Sequence, residues 1–286
     1  MKKHTLLLLI SILSLSVFGQ ERLAPFTTFA TTRLLNNHST ETLKKRELDF
    51  RVTHRFGDIG GNSGGYNTLW GLDNSSDIRI AFEYGVTRRL MIGLGRSKGA
   101  SAGLGGIFDG LIKYRLIEPK KELPLSLTLV ESAAVVTSPA SSVVTSEAAF
   151  DNVSDRLRYV SQLIVGYKIS DYLSVQLVPS FHHRNFVAAD DKNSLFALGG
   201  GARLKLTKLL ALNFEYTFSN FADRGIVDYT NEYGVGVEFD LGGHVFQVDI
   251  TNAGGIGEYQ FISGTTSDIA DGEIRLGFTI SRPFKI

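Results

Sequence analysis

Residues 77–86 read Asp-Ile-Arg-Ile-Ala-Phe-Glu-Tyr-Gly-Val, and this stretch shows the pattern that decides the fold. Ile78 and Phe82 lie on one face of an extended chain, because successive side chains of a strand point to opposite sides. Arg79 and Glu83 lie on the other face. The alternation recurs about twelve times before the C-terminus, and each stretch ends in a turn signal. This repetition predicts a closed sheet with lipid outside and water inside.

Strand positions follow from where the alternation begins and stops. The predicted strands cover residues 46–56, 77–86, 90–98, 108–117, 125–136, 156–169, 173–186, 195–206, 210–220, 229–239, 244–251 and 272–282. Most are near the length that a tilted spanning strand needs. Because proline removes a ladder donor, we expect a bulge at Pro179 and strand termination near Pro283.

The connections between these strands alternate in length. The short ones are residues 87–89, 118–124, 170–172, 207–209 and 240–243. The long ones, rich in Gly, Ser, Asn and Asp, are residues 57–76, 99–107, 137–155, 187–194, 221–228 and 252–271. Short periplasmic turns and longer extracellular loops are typical of bacterial outer-membrane barrels. The chain is therefore predicted to be an all-β, antiparallel transmembrane barrel with both termini on the periplasmic side.

The N-terminus has the features of a cleaved secretory signal. Lys2 and Lys3 precede an apolar run that is too short for a spanning helix, and we expect cleavage after Gly19. The chain then divides into a signal peptide (1–19), a segment 20–45 and an outer-membrane barrel (46–286). Segment 20–45 departs from the barrel pattern. It is interpreted as a periplasmic leader, as a plug in the lumen, or as a further strand.

Composition and motifs exclude several kinds of function. The chain has no cysteine, which removes disulfides, thiolate metal sites and a Cys nucleophile. Its formal net charge of +1 does not favour nucleic-acid binding. His182 and His183 point to opposite faces of a strand, and no Gly-x-Ser-x-Gly elbow or phosphate-binding loop is present. We expect no enzymatic activity, no metal site and no cofactor.

The face opposite the apolar one carries the charges predicted to line the lumen. These candidates are Asp49, Arg51, Arg55, Arg79, Glu83, Lys113, Arg115, Glu131, Arg203, Glu215, Glu232, Asp249, Glu273 and Arg275. Antiparallel geometry is expected to pair some of them, with Arg51 near Glu83, Arg203 near Glu215, and Arg55 near Glu273 across the seam that closes the barrel. The charges are interpreted either as an ion-pair lattice that stiffens the interior or as a solute path of mixed charge.

Glycines at the same inward parity bear on whether the lumen is open. They are Gly93, Gly95, Gly199, Gly201, Gly234, Gly236 and Gly277. Such residues either leave space in the lumen or bend the strands. Twelve strands lie between small barrels filled by side chains and sixteen-stranded porins with a channel. We expect a narrow lumen, partly occluded by segment 20–45 or by a loop.

Several stretches resemble a family of outer-membrane β-barrels of unknown function that is common in Bacteroidetes-type bacteria. The likeness is carried by residues 48–57 (Leu-Asp-Phe-Arg-Val-Thr-His-Arg-Phe-Gly), 70–74, 84–96, 113–116 and 276–284. It extends through nearly the whole mature chain, and His-Arg-Phe-Gly is its most specific part. The resemblance implies an outer-membrane barrel with no assigned activity or catalytic residues. Such barrels usually end on an aromatic residue, whereas this chain ends on Ile286 with Phe284 two positions earlier.

Together these features predict a narrow passive or gated conduit for a small polar solute. The alternative is an occluded barrel that serves as a scaffold and binds an envelope protein, for which Trp70 in the first long loop is the candidate contact. The expected partners are outer-membrane lipid, the barrel-assembly machinery during insertion, and either the solute or the envelope protein. No nucleic-acid partner is expected.

Overall fold

Twelve strands form one closed barrel in a computed structural model that describes residues 26–99, 104–221, 224 and 227–286. The predicted signal peptide lies outside the described residues. The strands are β1 (Glu47–Asp58), β2 (Ser75–Gly85), β3 (Leu90–Lys98), β4 (Gly106–Ile117), β5 (Leu125–Val136), β6 (Leu157–Lys168), β7 (Leu173–Arg184), β8 (Ser194–Lys205), β9 (Leu210–Ser219), β10 (Glu232–Asp240), β11 (Val245–Thr251) and β12 (Arg275–Lys285). The predicted twelve-stranded antiparallel barrel is confirmed.

The barrel closes between its first and last strands. β1 pairs antiparallel with β12 from Glu47 opposite Lys285 to Arg55 opposite Gly277. Every other strand pairs with its neighbours in the chain. Closure leaves no sheet edge with unpaired backbone groups, which is the condition for strands to cross a lipid bilayer.

The two faces of the barrel wall differ as the alternation predicts. Outward side chains such as Phe82 and Leu94 are 51% and 70% exposed. Inward charged side chains such as Arg79 and Glu83 are 2% and 0% exposed. An interior that buries charge this completely is filled with protein, because an open channel would expose these side chains to water.

The bulge predicted at Pro179 does not form, and β12 ends two residues beyond Pro283, near which termination was predicted. Residues 178 and 179 of β7 have no paired residue on β6. The pairs on either side, Gln162 with Ser180 and Val165 with Leu177, keep the same register, so no bulge forms at Pro179. At the end of the chain β12 continues past Pro283 to Lys285. Its pairing with β11 stops at Ser281, so the missing donor of Pro283 breaks no bond to β11.

The ends of the barrel are named here by their connections. The turn end carries the short connections, and the loop end carries the long ones, including segments 59–74, 137–156 and 252–274. The last of these segments contains the helix α1 (Glu258–Gly264), which the sequence analysis did not predict. Within the described part of the chain, no helix is long and apolar enough to span a membrane.

Candidate functional site: the filled lumen

Residues 26–45, called here the inner segment, fill the turn-end half of the lumen. The ring of Phe26 lies 4.4 Å from the Lys168 ammonium at the turn end. At its other end, Arg46 donates its N–H to the Gly85 carbonyl, which returns the chain to the wall. Between these points the segment turns back on itself through a bridge between Arg33 and His38. Residues 31–41 are all buried.

Polar side chains of the wall satisfy the backbone of the inner segment. Hydrogen bonds within the segment, such as Ser39 N–H to the Thr32 carbonyl, satisfy only part of its backbone, and buried carbonyls need partners. The wall donors are Lys113 to the Thr32 oxygen (2.8 Å), Gln247 to Leu34 (2.7 Å), Gln176 to His38 (2.9 Å) and Thr128 to Thr40 (2.9 Å). These donors come from four strands, so the segment is held from several sides of the barrel.

The tip of the inner segment is anchored on carboxylates. Glu215 accepts the backbone N–H groups of Leu35, Asn36 and Asn37 at 3.0, 2.8 and 3.2 Å. The Asn36 amide donates to Glu232 at 2.8 Å and accepts from Arg55 at 2.7 Å. Glu215, Glu232 and Arg55 belong to three different strands, so the tip is held from several sides.

Inward glycines make room for this tip. A Cβ atom on Gly201 would lie 2.5 Å from Leu34 Cδ2, and one on Gly236 would lie 2.6 Å from Leu35 Cδ2. Real Cβ atoms do not approach other carbons so closely. These glycines therefore leave space that the inner segment occupies.

The inner segment meets α1 at a buried charge cluster in the middle of the barrel. Arg33 Nη1 lies 3.3 Å from Glu258 Oε2, and His38 Nε2 lies 3.5 Å from Glu258 Oε1. The Thr32 hydroxyl donates to Glu83 at 2.9 Å. Glu258 opens α1, so this carboxylate links a segment that enters from the turn end to a helix that enters from the loop end.

Electrostatics stabilises one protonation state at this contact. Burial and, to a smaller extent, the nearby Arg33 charge together lower the pKa of His38 to about 4, although Glu258 opposes this shift. Burial raises the pKa of Glu258, but Arg33 and His38 lower it more, so it lies well below its usual range. At neutral pH the contact therefore joins an ionised carboxylate, a guanidinium and a neutral imidazole.

The loop end is closed by α1 and by apolar side chains, called here the loop-end cover. Phe261 and Ile262 of α1 are buried in a cluster with Phe150 and Ile107. Tyr259 reaches past them and donates its hydroxyl to Asp109 at 2.7 Å. That carboxylate also pairs with Arg79 at 2.6 Å, which ties α1 to the wall.

A clamp between loops holds the loop-end cover in place. Arg224 donates to the Ser263 carbonyl of α1 at 2.7 Å and pairs with Asp191 at 2.7 Å. Its guanidinium lies 3.4 Å from the centre of the Tyr229 ring. One side chain thus joins three of the long connections.

A cavity of about 910 Å³ remains at the turn end, beneath the inner segment. It is bordered by basic side chains such as Lys205 and Arg88 and by acidic ones such as Glu47 and Asp240. Threonines of the inner segment, including Thr27 and Thr31, form its inner side. The cavity is therefore polar and of mixed charge.

Most predicted lumen residues face inward in the structure. Those that are buried or partly buried on the inner side are Asp49, Arg51, Arg55, Arg79, Glu83, Lys113, Arg115, Arg203, Glu215, Glu232, Asp249 and Arg275. Arg51 and Glu83 lie close together as predicted, since both bond to the Thr32 hydroxyl, but the direct ion pair of Arg51 is with Asp49 at 3.1 Å. The other two predicted pairings were wrong, because Arg203 pairs with Glu238 and Arg55 with Asp249, both at 2.6 Å. Glu215 bonds to the inner segment instead.

Two predicted lumen residues are elsewhere. Glu131 is exposed on the outer face, because the unbroken alternation of β5 places it with Leu127 and Leu129 while Val130 points inward. It accepts a hydrogen bond from Ser161 at 2.5 Å. Glu273 precedes β12 and lies at the loop end, beside Gly61.

Other residues of the filled lumen were missed. Asp109 and Glu238 share the inward parity of residues that were predicted, so the alternation could have found both. Arg33 and Glu258 lie in segments with no strand pattern, and nothing in their sequence placed them in the lumen. Within the described residues, no cluster of three or more His, Asp or Glu side chains could hold a metal ion.

Comparisons with known proteins agree with this architecture. A family model described as a membrane-bound β-barrel domain, DUF5777, matches residues 29–284. No curated protein matches. Among solved structures, a KdgM porin in complex with disordered oligogalacturonate is 11% identical, with a TM-score of 0.50, over 83% of this chain and 99% of that one. The COG4313 outer-membrane channel from Pseudomonas putida F1 is 13% identical, with a TM-score of 0.49, over 86% of this chain and 98% of that one.

Proposed function

The chain belongs to the DUF5777 family of membrane-bound β-barrel domains, and from this premise we propose that it is a gated conduit for a small polar solute in the outer membrane. In this proposal the filled lumen corresponds to the closed state. The inner segment acts as the plug of the turn-end half, and displacement of this plug opens the path. The turn end faces the periplasm, and the loop end faces the cell exterior.

One observation carries this proposal: the tip of the inner segment is attached through polar contacts to a polar wall. Glu215, Glu232 and Arg55 each bond to the tip. When the segment leaves, water can replace these bonds, so the bare wall remains compatible with an aqueous path. The mixed charge of the turn-end cavity suits a polar solute without strong ion selectivity.

Opening at one end is coupled to the other through Glu258. Its described partners in the inner segment are Arg33 and His38. Removal of the segment leaves this buried carboxylate without them. Breaking a buried ion pair in this way costs about 3–5 kcal/mol, which destabilises the closed position of α1. Displacement of the inner segment therefore loosens the loop-end cover as well.

Planar-bilayer recording of the full-length protein and of a variant that lacks residues 27–43 tests the proposal. We expect wild type to be closed for most of the recording and the deletion variant to show stepwise conductance. Deletion of residues 61–70, in a loop outside the lumen, is the control and should behave like wild type. If the deletion variant is folded, as judged by heat-modifiable electrophoretic mobility, and still does not conduct, the conduit proposal is wrong.

We also infer the location and processing of the chain. The signal peptide 1–19 is removed, and the barrel-assembly machinery inserts the barrel into the outer membrane. A Bacteroidetes-type source is inferred from the sequence resemblance. The intact mass of protein purified from the outer membrane tests the predicted cleavage. A mass that corresponds to a chain starting at Gln20 would support it, and a mass that includes residues 1–19 would contradict it.

A second candidate function is favoured by the first long loop. Tyr66 and Trp70 are 81% and 53% exposed. Their rings are arranged edge to face, with 6.2 Å between the ring centroids. Leu69 and Trp70 both have positive φ angles of 48° and 52°, an unusual backbone for these residues. A closed barrel that binds an envelope protein would use this surface. Capture of a partner by wild type but not by Trp70→Ala would favour the scaffold function, and equal capture by both would exclude this contact.

A further inference from the structure

A groove of about 570 Å³ crosses the outer, lipid-facing side of the wall from β2 to β6. Gly110 and Ala133 pair directly and form its floor. The neighbouring outward positions carry large side chains, among them Leu94 and Phe108. Two small residues in a row of large ones thus create a recess that is wide enough for a hydrocarbon chain and has apolar walls.

Two cationic side chains lie at the loop end of this groove. Arg96 and Lys98 both point outward from β3 and are exposed. The Arg96 guanidinium lies 4.5 Å from the centre of the Phe108 ring, which holds it beside the groove. In the described part of the chain, neither side chain pairs with a carboxylate. Charged groups on the lipid face are tolerated best near the membrane interface, where headgroups can pair with them.

We propose that this groove binds one acyl chain of an anionic phospholipid, whose phosphate pairs with Arg96 and Lys98 and whose headgroup carries no compensating positive charge. The guanidinium can bind a phosphate through two parallel N–H groups, and the ammonium adds a second positive charge. The lipid belongs to the leaflet at the loop end of the barrel. This site is independent of the lumen, so its test is separate from the test of conduction.

A second copy of the chain fits the groove less well. In the twelve described strands, Glu131 is the one acidic side chain that faces outward. It lies two residues from Ala133 on the side away from the loop end, and Ser161 already donates to it at 2.5 Å. The strands of another barrel would therefore bring no free outward-facing anion to the depth of Arg96, whereas a phosphate headgroup lies at that depth.

Native mass spectrometry of the detergent-solubilised protein tests the proposal. The probes are phosphatidylglycerol and phosphatidylcholine with identical acyl chains. We expect wild type to retain phosphatidylglycerol in preference to phosphatidylcholine. The double variant Arg96→Gln/Lys98→Gln should reduce retention of phosphatidylglycerol by about fivefold for each charge removed, the scale of Lys and Arg attraction to anionic lipid. Unchanged retention would overturn the proposal.

Two further variants separate the headgroup from the groove. Arg282 lies on the outer face at the turn end, with its guanidinium carbon 4.6 Å from the centre of the Phe284 ring. Arg282→Gln is therefore a matched control at the opposite leaflet, and it should leave retention of phosphatidylglycerol unchanged. Ala133→Phe fills the groove and should reduce retention of both lipids. If Ala133→Phe instead converts a dimer into a monomer, a second copy occupies the groove and the lipid proposal is wrong.

Discussion

The inner segment and the loop-end cover close the same barrel by different physical means. The inner segment is held by hydrogen bonds from a polar wall, with Glu215 at its tip. The loop-end cover is held mainly by apolar burial, with Phe261 and Ile262 at its centre. The two meet at Glu258.

This difference assigns different roles to the two closures. Water or a polar solute can replace hydrogen bonds at modest net cost, because each bond contributes only about 0.5–1.5 kcal/mol beyond what water offers. Apolar burial has no such substitute, since exposure of a Phe or Ile side chain loses roughly 1.5–3 kcal/mol. The inner segment is therefore the part that moves first, and the loop-end cover follows when Glu258 loses its partners.

The largest effect is expected from crowding the tip of the inner segment. Gly201→Leu places a side chain where Leu34 Cδ2 lies, whereas the adjacent Gly200 points outward with no side chain near its Cβ position. Overpacking costs about 1–3 kcal/mol, so the open fraction of Gly201→Leu should rise by about fivefold to somewhat more than a hundredfold. Single-channel recording measures this fraction.

The control and the rescue for that variant use the same strand and the same contact. Gly200→Leu should remain closed like wild type. Adding Leu34→Ala to Gly201→Leu restores the space and should return the open fraction toward the wild-type value. If Gly200→Leu and Gly201→Leu open equally, the glycines bend the strand and do not seat the segment.

The next effect is a pH dependence that arises where the two closures meet. In the closed state the pKa of His38 is about 4, whereas the displaced, hydrated ring has a value near 6.5. Between pH 4 and pH 6.5, His38 therefore binds more protons in the displaced state than in the closed state. Lowering the pH in this range favours opening, and the ratio of open to closed barrels rises by up to about tenfold per pH unit. The lowered pKa of Glu258 acts in the same direction at lower pH.

Open fraction measured from pH 7.5 to pH 4.5 checks this dependence. His38→Asn should flatten the profile above pH 5. The clamp of the loop-end cover should contribute nothing, because burial raises the pKa of Asp191 but Arg224 and Arg184 lower it to about 2, so it stays ionised throughout. A flat wild-type profile would show that His38 remains buried when the barrel opens.

The smallest effects should separate the two closures most cleanly. Thr32→Val removes a hydroxyl that donates to Glu83 and accepts from Arg51, at a cost of about 1–2 kcal/mol. Ile262→Val removes one methylene from the loop-end cover, at a cost of about 1 kcal/mol. We expect the first variant to raise the open fraction and the second to lower only the temperature of unfolding. Equal effects on opening would mean that both closures move together.

The alternation of apolar and polar residues correctly predicted most inward and outward positions. The predictions failed where the charge of a residue was given more weight than its position in the alternation. Glu131 was predicted to line the lumen because it is acidic, although Leu127 and Leu129 at the same parity indicated an outward position. Asp109 was missed although it shares its parity with Lys113. Parity is the stronger signal, since an unbulged strand cannot turn one side chain to the other face.

The sequence did not predict which charged side chains of the wall form ion pairs with each other. The predicted partners of Arg55 and Arg203 were wrong, and Arg51 pairs directly with Asp49 although it lies near Glu83, because ion pairing depends on register and on what fills the lumen. Long side chains reach several carboxylates, and the inner segment takes Glu215 away from the wall. Which carboxylate each arginine pairs with depends on distances in the folded barrel, and the strand patterns do not predict these distances.

The chain's own sequence determined the number of strands, their order and the apolar outer face, because these depend on local alternation and on turn signals. It also placed glycines on the inner face. Only the tertiary structure decided what those glycines are for. The inner segment and α1 have no periodic pattern, and their positions follow from long-range contacts of Leu34 with Gly201 and of Arg33 with Glu258. Whether the barrel is open or closed is a property of those contacts, made between residues far apart in the chain.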